Sequence, residues 1–159
     1  MHKRYTNIKL PSYKYIPQKG PHPLQIKNIE HIPEIPEDNN GFSSENWHQS
    51  QHYLYAVDLF NLGYYWEVHE VLEKLWMELG KKSDEGIFIQ GLIQLSVALL
   101  KHSQDNHNGF KRLYEKALPK FKKQHGIFLG IDSKAVLQLF QKLNTEEREL
   151  PKIKLKFLE

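Results

Sequence analysis

The sequence predicts an all-α fold, a single-domain bundle of about five helices behind a Pro-rich extended N-terminal arm. Three observations predict it. Apolar residues recur at helical spacing from about residue 45 onward. Glycines stand where those patterns stop, and six of the 8 prolines fall before residue 42. No segment between residues 42 and 145 alternates convincingly enough to read as a strand.

Residues 1–41 form the arm. Pro11, Pro17, Pro21, Pro23, Pro33 and Pro36 each fix φ and push the preceding residue out of the α region. The same stretch carries Ile8, Leu10, Tyr13, Tyr15, Ile16, Leu24 and Ile26. Those apolar side chains predict an arm that wraps the core. The bundle is expected over residues 42–145, and residues 146–159 are a basic C-terminal tail.

The first helix is expected over Glu45–Leu62, with Ser43 or Ser44 as N-cap and Gly63 as the stop. Tyr53, Ala56, Val57 and Phe60 mark its buried stripe. The second runs from Tyr64 to Leu79 with Val68, Val71, Leu72 and Leu75 on its apolar face, and Gly80 closes it. The third spans Asp84–His102 and is apolar nearly all round, the mark of a central helix. Only Gln90, Gln94 and Lys101 share a polar strip there, which could meet the glutamates of the second helix or form the exposed edge. The fourth is expected over Asn108–Leu118, ended or kinked by Pro119. The fifth is expected over Asp132–Leu143, capped by Asp132. The tail KIKLKFLE alternates apolar and basic residues and could be a short strand, without an obvious partner.

The chain has 159 residues, 40% of them hydrophobic, which suits one domain with its own core. There is no cysteine, so disulfides, thiolate metal sites and cysteine nucleophiles are excluded, and a reducing cytoplasm fits. The N-terminal stretch lacks the apolar run of a secretory signal. The longest apolar run, Leu95–Leu100, is interrupted by Ser96 and far too short for a bilayer, so no membrane partner is expected.

The net charge of +3 is unevenly laid out, at +1 over residues 1–46, −4 over 47–110 and +6 over 111–159. Packing of the basic last third against the acidic middle accounts for this. A nucleic-acid face built from Lys120, Lys122, Lys123, Lys152, Lys154 and Lys156 is the weaker account. The chain has only three arginines, and they form no cluster interleaved with aromatics.

The chemistry-bearing stretch is FNLGYYWEVHEVLEKLW, Phe60 to Trp76. At about 100° per residue, Glu67, Glu70 and Lys74 fall on one flank of the second helix. His69, Glu73 and Trp76 fall on the other. His69 and Glu73 are one turn apart and can touch. His69-Glu70-x-x-Glu73 resembles the zinc-peptidase HExxH pattern with a carboxylate in place of the second imidazole. A divalent metal on His69 and Glu73 needs a third ligand, and His102 is the candidate on the third helix. In a hydrolytic reading His69 is the general base, Glu73 orients its ring and Glu70 completes the catalytic set. Glu67 and Gln94 are further polar members, and Trp66 and Trp76 are the walls. The same residues suit a structural network better, in which His69 pairs with Glu73 and the glutamates meet lysines of the tail. His48 and His52 are also one turn apart, but HQSQH lacks the central Glu and reads as two surface histidines.

Three segments, FNLGYYWEVHEVLEKLW, QGLIQLSVALLKH and NHNGFKRLYEKAL, resemble in order the bacterial and archaeal family known as domain of unknown function 309. The positions that match its pattern are Phe60, Gly63, Tyr65, Glu67, His69, Glu70, Glu73, Trp76, Gly91, Gln94, Asn106 and Gly109. The resemblance covers roughly residues 52–120. Ser96 and Phe110 depart from it, at positions that bear on packing. It implies a compact helical bundle and assigns no reaction.

Two functional classes follow. One is a small metal-binding or hydrolytic protein centred on His69, Glu70 and Glu73. The other is a helical interaction module, because AVDLFNLGYYWEVHEVLEKLW loosely echoes a tetratricopeptide unit. A peptide partner or a second copy of the chain would then dock on a groove lined by Tyr64, Tyr65 and Trp66.

Overall fold

The computed structural model describes residues 3–25, 30–146 and 149–157, and only the backbone of 144–146. Ile26 of the expected arm lies outside the described residues. Five helices form the body: α1 (Gln51–Leu62), α2 (Tyr65–Leu79), α3 (Asp84–Ser103), α4 (His107–Lys122) and α5 (Ser133–Glu146). A two-residue antiparallel pair, β1 (Ile127–Phe128) and β2 (Ile131–Asp132), links α4 to α5. The fold is thus mostly all-α, and the small hairpin is an addition to the sequence reading.

Local signals set most boundaries. Gly63 ends α1 in the left-handed region at φ 87°, which glycine adopts without Cβ strain. Ser83 caps α3 by accepting from the Gly86 amide at 3.0 Å. Asp132 caps α5 by accepting from the Ala135 amide at 3.2 Å. The start of α1 differs from expectation. Ser50, not Ser43 or Ser44, is its cap, accepting from the Tyr53 amide at 3.2 Å. A single 3₁₀ turn, Trp47–Gln49, precedes it and buries Trp47.

Pro119 does not end α4, which continues to Lys122. The ring is exposed, so the missing backbone bond falls on the solvent side of the helix. Two residues on, Phe121 is fully buried and stacks on Phe88 of α3 at 4.3 Å and 8°. That contact holds the last turn.

α3 lies between α2 and α4. Yet α1, not α3, is the helix enclosed all round, with every residue from His52 to Asn61 buried. α3 keeps Ile87, Gln90, Ile93, Gln94 and Val97 half-buried. The difference arises because both ends of the chain cover α1. Its polar residues then pair with backbone rather than water. Asp58, 2% exposed, accepts from the Tyr5 amide at 2.7 Å and from the Thr6 amide and hydroxyl at 2.9 and 2.7 Å. Asn61 accepts from the Ile153 amide at 2.7 Å and donates to its carbonyl at 2.8 Å. The tail is therefore extended but not a strand. The side-chain amide of Asn61 pairs with Ile153, the Tyr5 hydroxyl accepts from the Leu155 amide at 2.9 Å, the Gly130 carbonyl accepts from the Lys156 amide at 2.8 Å, and Ile153 and Leu155 are buried.

His52 also departs from expectation. It is 7% exposed, and its Nδ1 lies 3.7 Å from Asp38 in the N-terminal segment. His48 is exposed, as expected.

Candidate functional site

The chemistry-bearing residues of α2 divide into two clusters because the helix has two kinds of surroundings. Tyr65, Val68, Val71, Leu72 and Leu75 face the core. Glu67 is carried inward with them and is fully buried. His69, Glu70 and Glu73 point the other way and are partly exposed, with side-chain exposures of 32%, 39% and 45%.

In the outer cluster His69 lies between two carboxylates. Its Nδ1 is 3.4 Å from Glu70 Oε1 and its Nε2 is 3.3 Å from Glu73 Oε2. One ligand-capable atom from each of the three residues lies within 4.8 Å of the others, the group of three or more such residues that the described residues offer a metal. His102 is not brought to it. Its ring lies against Phe110 of α4, 5.7 Å between centroids. Gln94 also faces α4, where Lys120 Nζ donates to its Oε1 at 2.9 Å. Burial, and then the neighbouring Lys116 charge, lowers the Lys120 pKa. Trp76 carries Lys81 Nζ over its ring at 5.5 Å.

The inner cluster was only half legible. Glu67 Oε2 accepts from the Tyr15 amide at 3.0 Å and meets His31 Nε2 at 2.6 Å. Both partners belong to the N-terminal segment. Tyr13 packs on the His31 ring at 4.4 Å. Trp66 meets Tyr15 at 4.9 Å, His22 at 5.6 Å and His31 at 6.0 Å. The Tyr13 phenol is pushed above its ordinary value by desolvation, then by the Glu67 charge and by Tyr15. Glu67 Oε1 and His31 Nδ1 are buried without a hydrogen-bond partner among the described residues.

This cluster joins the segment to the bundle. It also occupies the aromatic wall, since Tyr65 is buried and Trp66 is covered by Tyr15 and His22. Among the described residues, Tyr65 and Trp66 therefore do not line an open groove of the kind expected of an interaction module, while Tyr64 is half-buried with Lys14 Nζ 5.2 Å from its ring centroid. Sequence reading missed His31 and Asp58. Asp58 carried a signal, an acid at a helical position flanked by Val57, Leu59 and Phe60. His31, in a proline-rich stretch without periodicity, carried none.

Of the lysines weighed as a nucleic-acid face, Lys120 is held by Gln94 and Lys123 Nζ lies 3.5 Å from Asp84. Lys152 donates to the Asn61 carbonyl at 3.3 Å. Lys152, Lys154 and Lys156 line one cavity, shared with the carboxylates of Asp132 and Glu149. Among the described residues no helix is long and apolar enough to cross a membrane.

The matched polar set now has a defined place, Glu67 inside and His69, Glu70 and Glu73 outside one helix. Residues 53–113 match the family described as domain of unknown function DUF309. The DUF309 match runs from the first turn of α1 into α4, so it holds both clusters' α2 residues and Asp58, but neither His31 nor Tyr15. The chain is also similar to the "Uncharacterized protein YpuF" of Bacillus subtilis (strain 168). The two are 35% identical over 89 residues, which is 55% of this chain and 51% of that protein. The chain thus spans about half the length of that relative.

Proposed function

We propose that the His69–Glu73 turn of α2 is a divalent-cation site of the kind that supports hydrolytic chemistry. One observation carries the reading: an imidazole and two carboxylates gather within 4.8 Å on an accessible helix turn. The donor chemistry fits. Two ligands each about 2.1 Å from a tetrahedral ion are about 3.4 Å apart. His69 and Glu73 already stand 3.3 Å apart, and Glu70 lies within reach of the same ion. Nitrogen with carboxylate oxygen suits zinc, manganese or ferrous iron better than calcium or magnesium, which prefer all-oxygen shells. Such an ion supplies Lewis acidity at coordination positions left open to solvent. Around it, Glu70, 3.4 Å from His69 Nδ1, orients the imidazole and adds negative charge.

The test uses tag-free protein titrated with Zn²⁺, Mn²⁺ and Fe²⁺ and followed by calorimetry and thermal unfolding. Binding at 100 times the dissociation constant stabilises the fold by about 2.7 kcal/mol. His69→Ala and Glu73→Gln should each abolish that gain. No heat and no thermal shift with any of the three ions, in a properly folded sample, removes the metal and with it the hydrolytic reading.

A further inference from the structure

A cavity lies away from α2, where the end of α4, the approach to the β hairpin and the first turns of α5 meet. Its volume is about 500 Å³. That is within the roughly 300–1,000 Å³ typical of small-molecule sites, and more than a bare inorganic anion needs.

Its lining is one-sided in charge. Lys122 and Lys134 contribute two ammonium groups and His125 an imidazole, while no carboxylate among the described residues lines it. Neither lysine is in an ion pair among the described residues, in contrast to Lys123, which lies near Asp84. Gln124 and Gln138 add amide donors and acceptors.

Ser133 supplies the independent sign. It lines the cavity, is 5% exposed, and its Oγ is buried with no hydrogen-bond partner among the described residues. Unsatisfied buried hydroxyls are uncommon and costly. It is also not required as a helix cap, because Asp132 already accepts from the Ala135 amide. An unpaired hydroxyl in the wall of a cavity that two uncompensated ammonium groups also line matches an acceptor-rich anionic ligand.

We propose that this cavity binds a small phosphorylated molecule with a hydroxyl-rich body. The phosphate monoester sits between Lys122 and Lys134 and accepts from the Ser133 hydroxyl, which a χ1 rotation turns from its buried position into the cavity. Gln124 and Gln138 contact the polar body. Lysine serves a phosphate as a mobile point charge, and charge-assisted bonds are about twice as strong as neutral ones.

The test is calorimetric titration of the full chain, in chelator, with ribose 5-phosphate, ribose and inorganic phosphate. Chemical-shift mapping locates the contacts. The expected result is that ribose 5-phosphate binds at residues 122–141, that ribose does not bind, and that inorganic phosphate binds more weakly. Lys134→Gln and Ser133→Ala should each weaken the ester roughly tenfold, and Lys154→Gln, on the tail, should not. Circular dichroism checks that each variant is folded. Equal weakening by Lys154→Gln shows mere surface charge and overturns the proposal. So does binding of inorganic phosphate as tight as the ester, or shift changes confined to other residues. Binding of a short RNA with no response to ribose 5-phosphate also overturns it.

Discussion

Glu67 of α2 and His31 of the N-terminal segment meet at 2.6 Å, with side chains 0% and 6% exposed. The chain thus ties its N-terminal segment to the bundle through a carboxylate that the helix pattern alone placed on a polar flank with Glu70 and Lys74. Removing one partner of such a pair strands the other away from water. His31→Ala should therefore cost about 3 kcal/mol in urea unfolding, since breaking a buried pair costs more than the pair contributes. Glu67→Gln keeps an acceptor for the Tyr15 amide and should cost less. Equal stability of His31→Ala and wild type would show that the pair does not hold the segment.

Asp58 ties down the very start of the described chain through the Tyr5 and Thr6 amides and the Thr6 hydroxyl. Asp58→Ala leaves three donors unpaired. A loss of about 3 kcal/mol is expected, given the strength of bonds to charged groups. Limited proteolysis should then cut within residues 3–15 before the bundle. Cleavage unchanged from wild type would contradict the anchoring role.

Gly130 sits at φ 75° directly against Trp47. A Cβ there would stand 2.4 Å from Trp47 Cη2, and the indole is buried. Gly130→Ala combines left-handed strain with a clash against a rigid ring, so a loss of at least about 2 kcal/mol is expected. Gly20→Ala, which meets nothing within 4 Å, is the control and should be near neutral. Thermal unfolding of the two variants decides the matter.

The phenols of Tyr53, Tyr55 and Tyr65 are all raised above their ordinary value of 10.0, in each case chiefly by burial. A group whose folded pKa is raised contributes stability that is fully present below the unfolded value and is lost as pH rises through the folded value. The fold should therefore hold from neutral pH to about 10 and weaken above it. Phenolate absorbance of these three should appear in one step with loss of helical circular dichroism. Their titration near pH 10 with the helices intact would contradict the burial.

Much of the scaffold was legible because its signals are local. Gly63 and Asp132 mark helix ends through backbone geometry and one short hydrogen bond, which neighbouring residues determine. The outer cluster was legible for the same reason, since His69 and Glu73 are one helical turn apart whatever surrounds them. Other features were hidden by distance along the chain. Pro119 reads as a stop until Phe121 is seen stacked on Phe88. His102 shares no turn with His69, and only the packing of α3 on α4 placed it against Phe110.

By itself the sequence determined the helical class, the order of the five helices and the grouping of imidazole and carboxylates on α2, because periodicity and caps act within a few residues. Tertiary structure alone decided that α1 is the enclosed helix, that Glu67 turns inward to His31 while Glu73 stays with His69 outside, and that Asn61 pairs with the tail's backbone at Ile153. Those outcomes depend on contacts between residues 36 to 92 positions apart. A buried polar group takes whichever partner the packing brings to it, and no local pattern records that choice.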